Sequence, residues 1–391
     1  MSKNCVMNTY GRYDVVFEKG MGTRIYDENG KEYLDFVSGV AVNCLGHSHP
    51  SIINALYEQS KKLIHISNYY WNKEHTILAE KLIKYSDHSK VFFCNSGTEA
   101  VEGALKLARK YGKLKSDNKN VILYMNNSFH GRSMGALSVT GQPKYQQDFL
   151  PLIGGVKQIE FNNIEDLINN FDETVCGIII EPIQGEGGIN VADLDFLQTA
   201  RNLCDKYDAV LIFDEIQCGI GRLGSLFAYT EFGVIPDVVA MAKALGGGFP
   251  IGAFMANERT SIGLGQGDHG STYGGNPLGC AVSLAVLNEL IDGSIIDSVA
   301  QKSAYITEHL LKLKEQYGII KEIRGVGLLL GIVLEDAKTF ANACFTKGLL
   351  AVTAGPDVLR LLPPLNVSIT EIDEALIILE EVMKISDTKI S

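Results

Sequence analysis

A chain of 391 residues, 46 % hydrophobic and 21 % charged, is long enough for two domains around a large core and too apolar to stay disordered. Its formal net charge of −11, with no lysine- and arginine-rich block, repels phosphate backbones and argues against a nucleic-acid partner. The opening MSKNCVMNTYGRYDVVF has no continuous apolar segment, no run approaches a membrane span, and eight cysteines lie scattered without a CxxC pair; the expectation is a cytoplasmic protein with reduced thiols.

In chain order, KGMGTRIYDENGKEYLDF predicts a short β-meander with a turn at Glu28-Asn29-Gly30. In LGHSHP, His47 and His49 lack further ligands at metal-binding spacing, and the reading is a loop entering a helix. Apolar strand-like runs then alternate with amphipathic stretches. Strands are predicted at Val91–Cys94, Val121–Met125, Gly177–Ile180, Ala209–Phe213 and Val238–Ala242, and helices at Glu99–Tyr111 and Leu194–Tyr207. This alternation predicts a large α/β domain over residues 51–279 with a mainly parallel sheet. Beyond Gly279 the pattern changes: helices at Cys280–Ile291 and Ile296–Tyr317, strands near Leu328–Leu334 and Leu349–Thr353, and a last helix at Glu371–Ile385. Residues 280–391 therefore predict a smaller α+β domain, with the segment 1–50 packed against it.

Ligands of parallel sheets bind beyond the carboxyl ends of the strands, so those ends carry the functional reading. After Cys94, Ser96, Gly97 and Thr98 turn into a helix whose Val101, Ala104, Leu105 and Ala108 form one apolar stripe. Glu99 and Glu102 in its first turn and Lys106, Arg109 and Lys110 in its last suit the helix dipole, and Gly112 is expected to close it. The free N–H groups at its start can hold a phosphate; taken by itself the motif reads better as an ordinary N-cap. In FHGR, Phe129 can stack on a planar ligand and Arg132 can bind a carboxylate, although alone the stretch reads as a surface loop. In GIIIEPIQGEGGI, Glu181 reads as a structural strand-end acid and Glu186, inside a glycine turn, as the functional one.

AVLIFDEIQ sets Asp214 and Glu215 after an apolar strand, a pattern shared with ATPase metal sites. The chain has no G-x-x-x-x-G-K-[ST] loop and no G-x-S-x-G elbow, so Asp214 remains as an acid held in a partly dry strand-end site. Lys243 follows the apolar run Val238–Ala242 and precedes three glycines. Alone it is a snorkelling stem. If its strand is parallel to that of Asp214, amine and acid share one sheet edge.

An amine, an acid, an aromatic and a phosphate-binding turn together match the needs of pyridoxal 5'-phosphate. Its aldehyde condenses with a neutral lysine amine, and its ring nitrogen is kept protonated by a carboxylate. The blocks NSGTEAVE, FHGR, EPIQGEGG, DEIQCGIGR, AKALGGGFPIGA, HGSTYGGNP and LRLLPPL, in this order, resemble the class III, fold type I pyridoxal-phosphate aminotransferases over nearly the whole chain. MNTYGRYDVVFEKG and GVAVNCLGHSHP narrow the resemblance to the acetylornithine aminotransferases. The resemblance implies a seven-stranded, mainly parallel sheet flanked by helices, and a homodimer with shared active sites. It implies Lys243 as the amine that binds the cofactor and moves the substrate proton, and Asp214 as partner of the ring nitrogen. Gln217 would meet the phenolic oxygen, Phe129 the ring face, and Ser96, Gly97 and Thr98 the phosphate. Thr272 would reach the phosphate in the other subunit. Arg360 would hold the α-carboxylate of glutamate, with Glu186 masking it for the longer substrate. Arg132 would hold the distant carboxylate of acetylornithine, with Tyr10 and Ser271 nearby. No metal is implied. The implied reaction moves the δ-amino group of N2-acetylornithine to 2-oxoglutarate in arginine biosynthesis. Ornithine δ-, succinyl-diaminopimelate and 4-aminobutyrate aminotransferases use similar parts, and the same scaffold hosts aminomutases and decarboxylases.

Overall fold

The computed structural model describes residues 5–387. A seven-stranded sheet organises the large domain, in the order Lys90–Cys94, Gly252–Ala256, Val238–Met241, Val210–Asp214, Val175–Ile180, Val121–Met125 and Val156–Ile159. Gly252–Ala256 runs against both neighbours, and the pairings from Val238–Met241 to Val156–Ile159 are parallel. The central strands VCGIII, VLIFD and VVAM are buried throughout, as a sheet covered on both faces requires. Successive residues feed opposite cores: Ile122, Ile179 and Ile212 one, Leu123, Ile178 and Leu211 the other.

The helix Gly97–Lys113 covers the first of these faces. Ser96 caps it, its Oγ accepting the Glu99 N–H at 3.3 Å, while the Glu99 carboxylate accepts the Asn95 N–H at 2.8 Å. Such a cap contributes about 1 kcal/mol. Val101, Ala104 and Ala108 are completely buried, and Gly103 lies so close to Phe254 that a Cβ there would overlap the ring. Gly112 does not close the helix, which runs on to Lys113. Its missing side chain instead admits Cys176 and the Lys119 carbonyl.

The smaller domain has an antiparallel sheet in the order Glu322–Val326, Leu329–Val333, Val358–Leu361, Val352–Ala354. The expected strand Leu349–Thr353 is two strands in two sheets. Leu349–Leu350 pairs in parallel with Glu32–Asp35 of the N-terminal meander, and Val352–Ala354 joins Val358–Leu361. One extended segment thereby ties the chain's beginning to its C-terminal sheet. The helix expected at Cys280–Ile291 starts at Pro277, capped by Asn276, and ends in a π turn at Asn288–Asp292. The next begins as a 3-10 turn, Ile296–Ser298, before Val299–Gln316.

His49 is the N-cap of the helix Pro50–Ser60. His47 Nε2 lies 2.7 Å from Asp35 Oδ2, and Asp35 Oδ1 accepts the N–H groups of Val37 and Ser38, each at 2.9 Å. These bonds hold a left-handed turn in which Ser38, Gly39, Val40 and Ala41 all have φ between 51° and 64°. A non-glycine residue in that region costs roughly 1–3 kcal/mol and persists only where its surroundings enforce it. All eight cysteines are free, and among the described residues no single helix is long and apolar enough to cross a membrane.

Candidate active site

The parallel strands Val210–Asp214 and Val238–Met241 are paired with Asp214 opposite Ala240, so Asp214 and Lys243 leave the sheet at the same edge. Past Met241 the backbone breaks sharply. Lys243 has a left-handed φ of 45°, and Gly247 and Gly248 follow at 53° and 119°. Of the three glycines only Gly248 lines the cavity. Side chains at Gly246 and Gly247 would run into Ile251, and into Val286 and Ile52. The glycines thus seat the lysine loop on the core more than they clear room for a ligand.

The cavity at this edge measures about 490 Å³. Lys243 lines it together with Ser96, Gly97, Thr98, Phe129 and Asp214; Arg132, Glu186 and Gln217 line it too. Loss of hydration lowers the Lys243 pKa, Arg360 lowers it further, and Glu186, Asp214 and Glu181 oppose them. The net effect favours the neutral, nucleophilic amine.

Asp214 is buried, its Oδ2 2.7 Å from His130 Nδ1 and its Oδ1 accepting the Ile216 N–H at 3.0 Å. His130 Nε2 is buried without a partner among the described residues. Glu181, read from sequence as structural, accepts the Phe129 N–H at 2.9 Å and the Gly185 N–H at 3.2 Å. Burial pushes its carboxyl up to about 7 against the pull of His130. Glu215, next to Asp214, turns away to accept the N–H groups of Ala228 and Tyr229 at 2.6 and 2.7 Å.

At the helix start, the N–H groups of Gly97 and Thr98 lack intrahelical partners, and both residues line the cavity. Thr98 Oγ1 is 2.7 Å from Ser133 Oγ. It also abuts Gly131, whose φ of 136° and missing Cβ bring the two loops together.

Arg360 is buried on the Val358–Leu361 strand. Its Nη1 donates to Glu186 Oε1 at 2.6 Å, to Gln217 Oε1 at 2.9 Å and to the Gly185 carbonyl at 3.1 Å. Burial drives the Glu186 carboxyl up, but Arg360 outweighs it and the pKa ends below the usual range. Gln217 Nε2 also reaches Glu186 Oε1 at 3.4 Å. The Arg132 guanidinium stacks 3.9 Å above the Tyr145 ring and 5.3 Å from that of Phe129.

Arg360 itself does not line the cavity and meets it through Glu186 and Gln217, which do; three further expected residues stand apart. Tyr10 is 71 % exposed and outside the cavity lining. Thr272 is exposed and also outside it. Ser271 Oγ is engaged by Asn95 Nδ2 at 3.0 Å. Sequence reasoning passed over Val42, which follows the left-handed turn, and the Phe249–Ile251 segment, all of which line the cavity. It gave His130 no role, although its place between Phe129 and Arg132 was a usable signal.

Pyridoxal phosphate fits this donor set. A lysine amine whose charged form burial disfavours and a buried carboxylate follow neighbouring strands, an aromatic side chain lines the wall, and a helix N-terminus lies where a phosphate needs unpaired N–H groups. Fold and site together define a lysine-centred pyridoxal-phosphate transferase. The Aminotransferase class-III family profile matches residues 6–383. An acetylornithine aminotransferase of Clostridium acetobutylicum is 58 % identical over 98 % of this chain and 100 % of its own length. A succinylornithine transaminase of Photorhabdus laumondii is 46 % identical over 93 % of this chain and 92 % of its own. An ornithine aminotransferase structure from Toxoplasma gondii, which has partial occupancy of pyridoxal phosphate at its active site, superposes with a TM-score of 0.93. Its identity is 32 %, covering 98 % of this chain and 93 % of that one. The chain belongs to the class-III aminotransferases, enzymes dependent on pyridoxal phosphate. Within them it stands close to the acetylornithine aminotransferases.

Proposed function

We propose that this aminotransferase moves the δ-amino group of N2-acetylornithine to 2-oxoglutarate, giving N-acetylglutamate 5-semialdehyde and glutamate, as a step of arginine biosynthesis in the cytoplasm. The observation that carries the reading is the pairing of Glu186, at the cavity wall, with the buried Arg360 behind it. Two amino-group carriers of different length must use one site. With Glu186 on Arg360, the wall is neutralised and an ω-amine enters with its own carboxylate directed elsewhere, toward Arg132. With Glu186 displaced, Arg360 offers its guanidinium to the α-carboxylate of 2-oxoglutarate. The relatives named for acetylornithine, succinylornithine and ornithine support an ornithine-like donor.

The cofactor, when bound, supplies an aldehyde that takes up the amino group and a ring that withdraws electrons from the substrate carbon. The side chains do the rest. Lys243 would hold the cofactor between turnovers and, once free, its neutral amine would take the proton from the substrate carbon and deliver it to the cofactor. Asp214, oriented by His130, holds a proton at the ring nitrogen. Phe129 would cover the ring, Ser96, Gly97 and Thr98 would hold the phosphate, and Gln217 would be the donor for the phenolic oxygen once it leaves Glu186. Tyr10 and Ser271, outside the cavity lining of the single chain, would serve the substrate side in the assembled dimer.

The active form is proposed to be a homodimer. Tyr69 and Trp71 are 92 % and 87 % exposed and Tyr273 62 %, large aromatic side chains suited to burial against a second copy. Thr272 adjoins it and, in this reading, reaches the phosphate of the second subunit's site.

The test is a panel of amines with 2-oxoglutarate, scored by kcat/KM: N2-acetylornithine, N2-succinylornithine, ornithine, 4-aminobutyrate and succinyl-diaminopimelate. N2-acetylornithine is expected to lead, with glutamate formed in equal amount. Strong ornithine turnover beside negligible acetylornithine turnover overturns the donor assignment, and turnover without glutamate overturns the transaminase reaction. A monomer mass in solution at full activity removes the dimer.

A further inference from the structure

The buried Glu181 carboxylate spans two loops. Its Oε2 accepts the Phe129 N–H at 2.9 Å and its Oε1 the Gly185 N–H at 3.2 Å. Gly185 is held from its other side as well. Its carbonyl accepts from Arg360 Nη1 at 3.1 Å, the nitrogen that meets Glu186 Oε1 at 2.6 Å. A Cβ on Gly185 would overlap the Gln217 carboxamide, so this peptide sits bare against the groups it links. One backbone unit joins Glu181 to the Arg360–Glu186 pair, and another joins Glu181 to the loop carrying Phe129.

We propose that Glu181 is a positioning residue for substrate exchange: by clamping the Gly185 N–H it sets how readily Glu186 leaves Arg360. This rests on the reading of Arg360 as the carboxylate-binding arginine. Only a carboxylate offers an acceptor oxygen to each of two N–H groups. A carboxamide offers one oxygen and turns its own N–H groups on the other donor. Glu181→Gln therefore keeps volume and shape but releases one of the two loops. With the clamp weakened, Glu186 leaves Arg360 more easily. The keto acid then binds better, and the ω-amine, which needs Arg360 masked, reacts worse. A residue serving only to fill the core moves both half-reactions the same way.

The experiment follows the two half-reactions separately on the holoenzyme, by the cofactor's absorbance, for wild type, Glu181→Gln, Glu186→Gln and the double variant. Glu181→Gln is expected to lower the apparent Kd for 2-oxoglutarate about fivefold and to slow the reaction with N2-acetylornithine by a similar factor. Adding it to Glu186→Gln is expected to change neither half-reaction by more than about twofold, since coupled residues are not additive. Equal losses in both half-reactions, or full additivity, overturn the proposal. Should Glu181→Gln fail to hold cofactor, Glu181→Asp, which keeps the charge but shortens the reach, is judged by the same two criteria. Arg360→Lys separates the two readings. If it leaves the 2-oxoglutarate half-reaction untouched, the carboxylate reading fails and takes the clamp with it. If it impairs that half-reaction while Glu181→Gln shows equal losses, the clamp alone fails.

Discussion

Asp214 Oδ2 lies 2.7 Å from His130 Nδ1, both side chains buried, one at a strand end and the other in the loop after Val121–Met125. The contact fixes the rotation of the carboxylate, and the Ile216 N–H holds its second oxygen. Asp214→Asn keeps the shape and removes the charge that a protonated ring nitrogen needs. Turnover is expected to fall by about 10³-fold with the cofactor still bound, on the scale of losing a proton-managing group. His130→Asn is expected to cost roughly tenfold and to leave the Asp214 charge in place. Pre-steady-state rates with each variant decide; a His130 variant as impaired as Asp214→Asn means that the histidine does more than orient.

Lys243→Ala is expected to abolish the visible absorbance of the lysine-bound cofactor and to lower turnover by at least about 10³-fold. Unchanged absorbance and turnover would falsify the assignment of this lysine.

The lowered pKa of Lys243 has a sign that can be followed. Attachment of added pyridoxal phosphate to the apoprotein needs the neutral amine, so its rate rises with pH to a midpoint below the ordinary lysine value of about 10.4. Arg360 lowers the Lys243 pKa and Glu186 raises it. Arg360→Gln is expected to move the midpoint up and Glu186→Gln to move it down. A midpoint indifferent to both changes separates the lysine from that pair.

Glu186→Ala leaves Arg360 without its closest carboxylate. The KM for 2-oxoglutarate is expected to drop, and the half-reaction with N2-acetylornithine to slow by roughly tenfold, about the 1.4 kcal/mol that one charge-assisted contact readily supplies. Steady-state kinetics with each substrate varied in turn test the pair; parallel changes in both KM values argue against a gate.

Away from the site, His88 predicts acid sensitivity. Burial holds its imidazole down to about 4, with Asp87 and the backbone at Pro236 opposing, and the side chain is buried. In the unfolded chain the value is about 6.5. Between these values the native state binds fewer protons than the unfolded one, so stability is unaffected above pH 6.5 and falls as pH drops toward 4. The full shift corresponds to about 3 kcal/mol. Denaturant unfolding at pH 7 and pH 4.5 is expected to show a smaller acid loss in His88→Phe, which keeps the ring beside Tyr229. An equal loss in both proteins assigns the sensitivity elsewhere.

The central strands that sequence reasoning found are buried on both faces, and KVFFC, at a sheet edge, was found because its inner end is still apolar and buried. VILYM was found with its exact limits and VLIFD within one residue. The missed ones are VKQI and EIRGV, at the edges of their sheets, where one side is open and apolar patterning fades. VLRL was hidden by Arg360, a charge in a buried strand that only its partners Glu186 and Gln217 explain. The split at Ala351 was equally hidden, since pairing with either sheet asks for the same extended, apolar residues.

Residue types and their order determined by themselves that strands and helices alternate, and that a lysine, an acid and a helix start follow strand ends. That much is local periodicity and covalent spacing. The tertiary structure alone decided that these ends meet. Parallel pairing sets Asp214 opposite Ala240, three residues short of Lys243, and folding of the C-terminal sheet carries Arg360 to Glu186 across 174 residues of chain. Contacts at that separation depend on how the sheets pack, and no local pattern encodes them. The same packing turned Glu181 from a strand-end acid into the link between two loops, because what a buried carboxylate does is set by the donors brought to it.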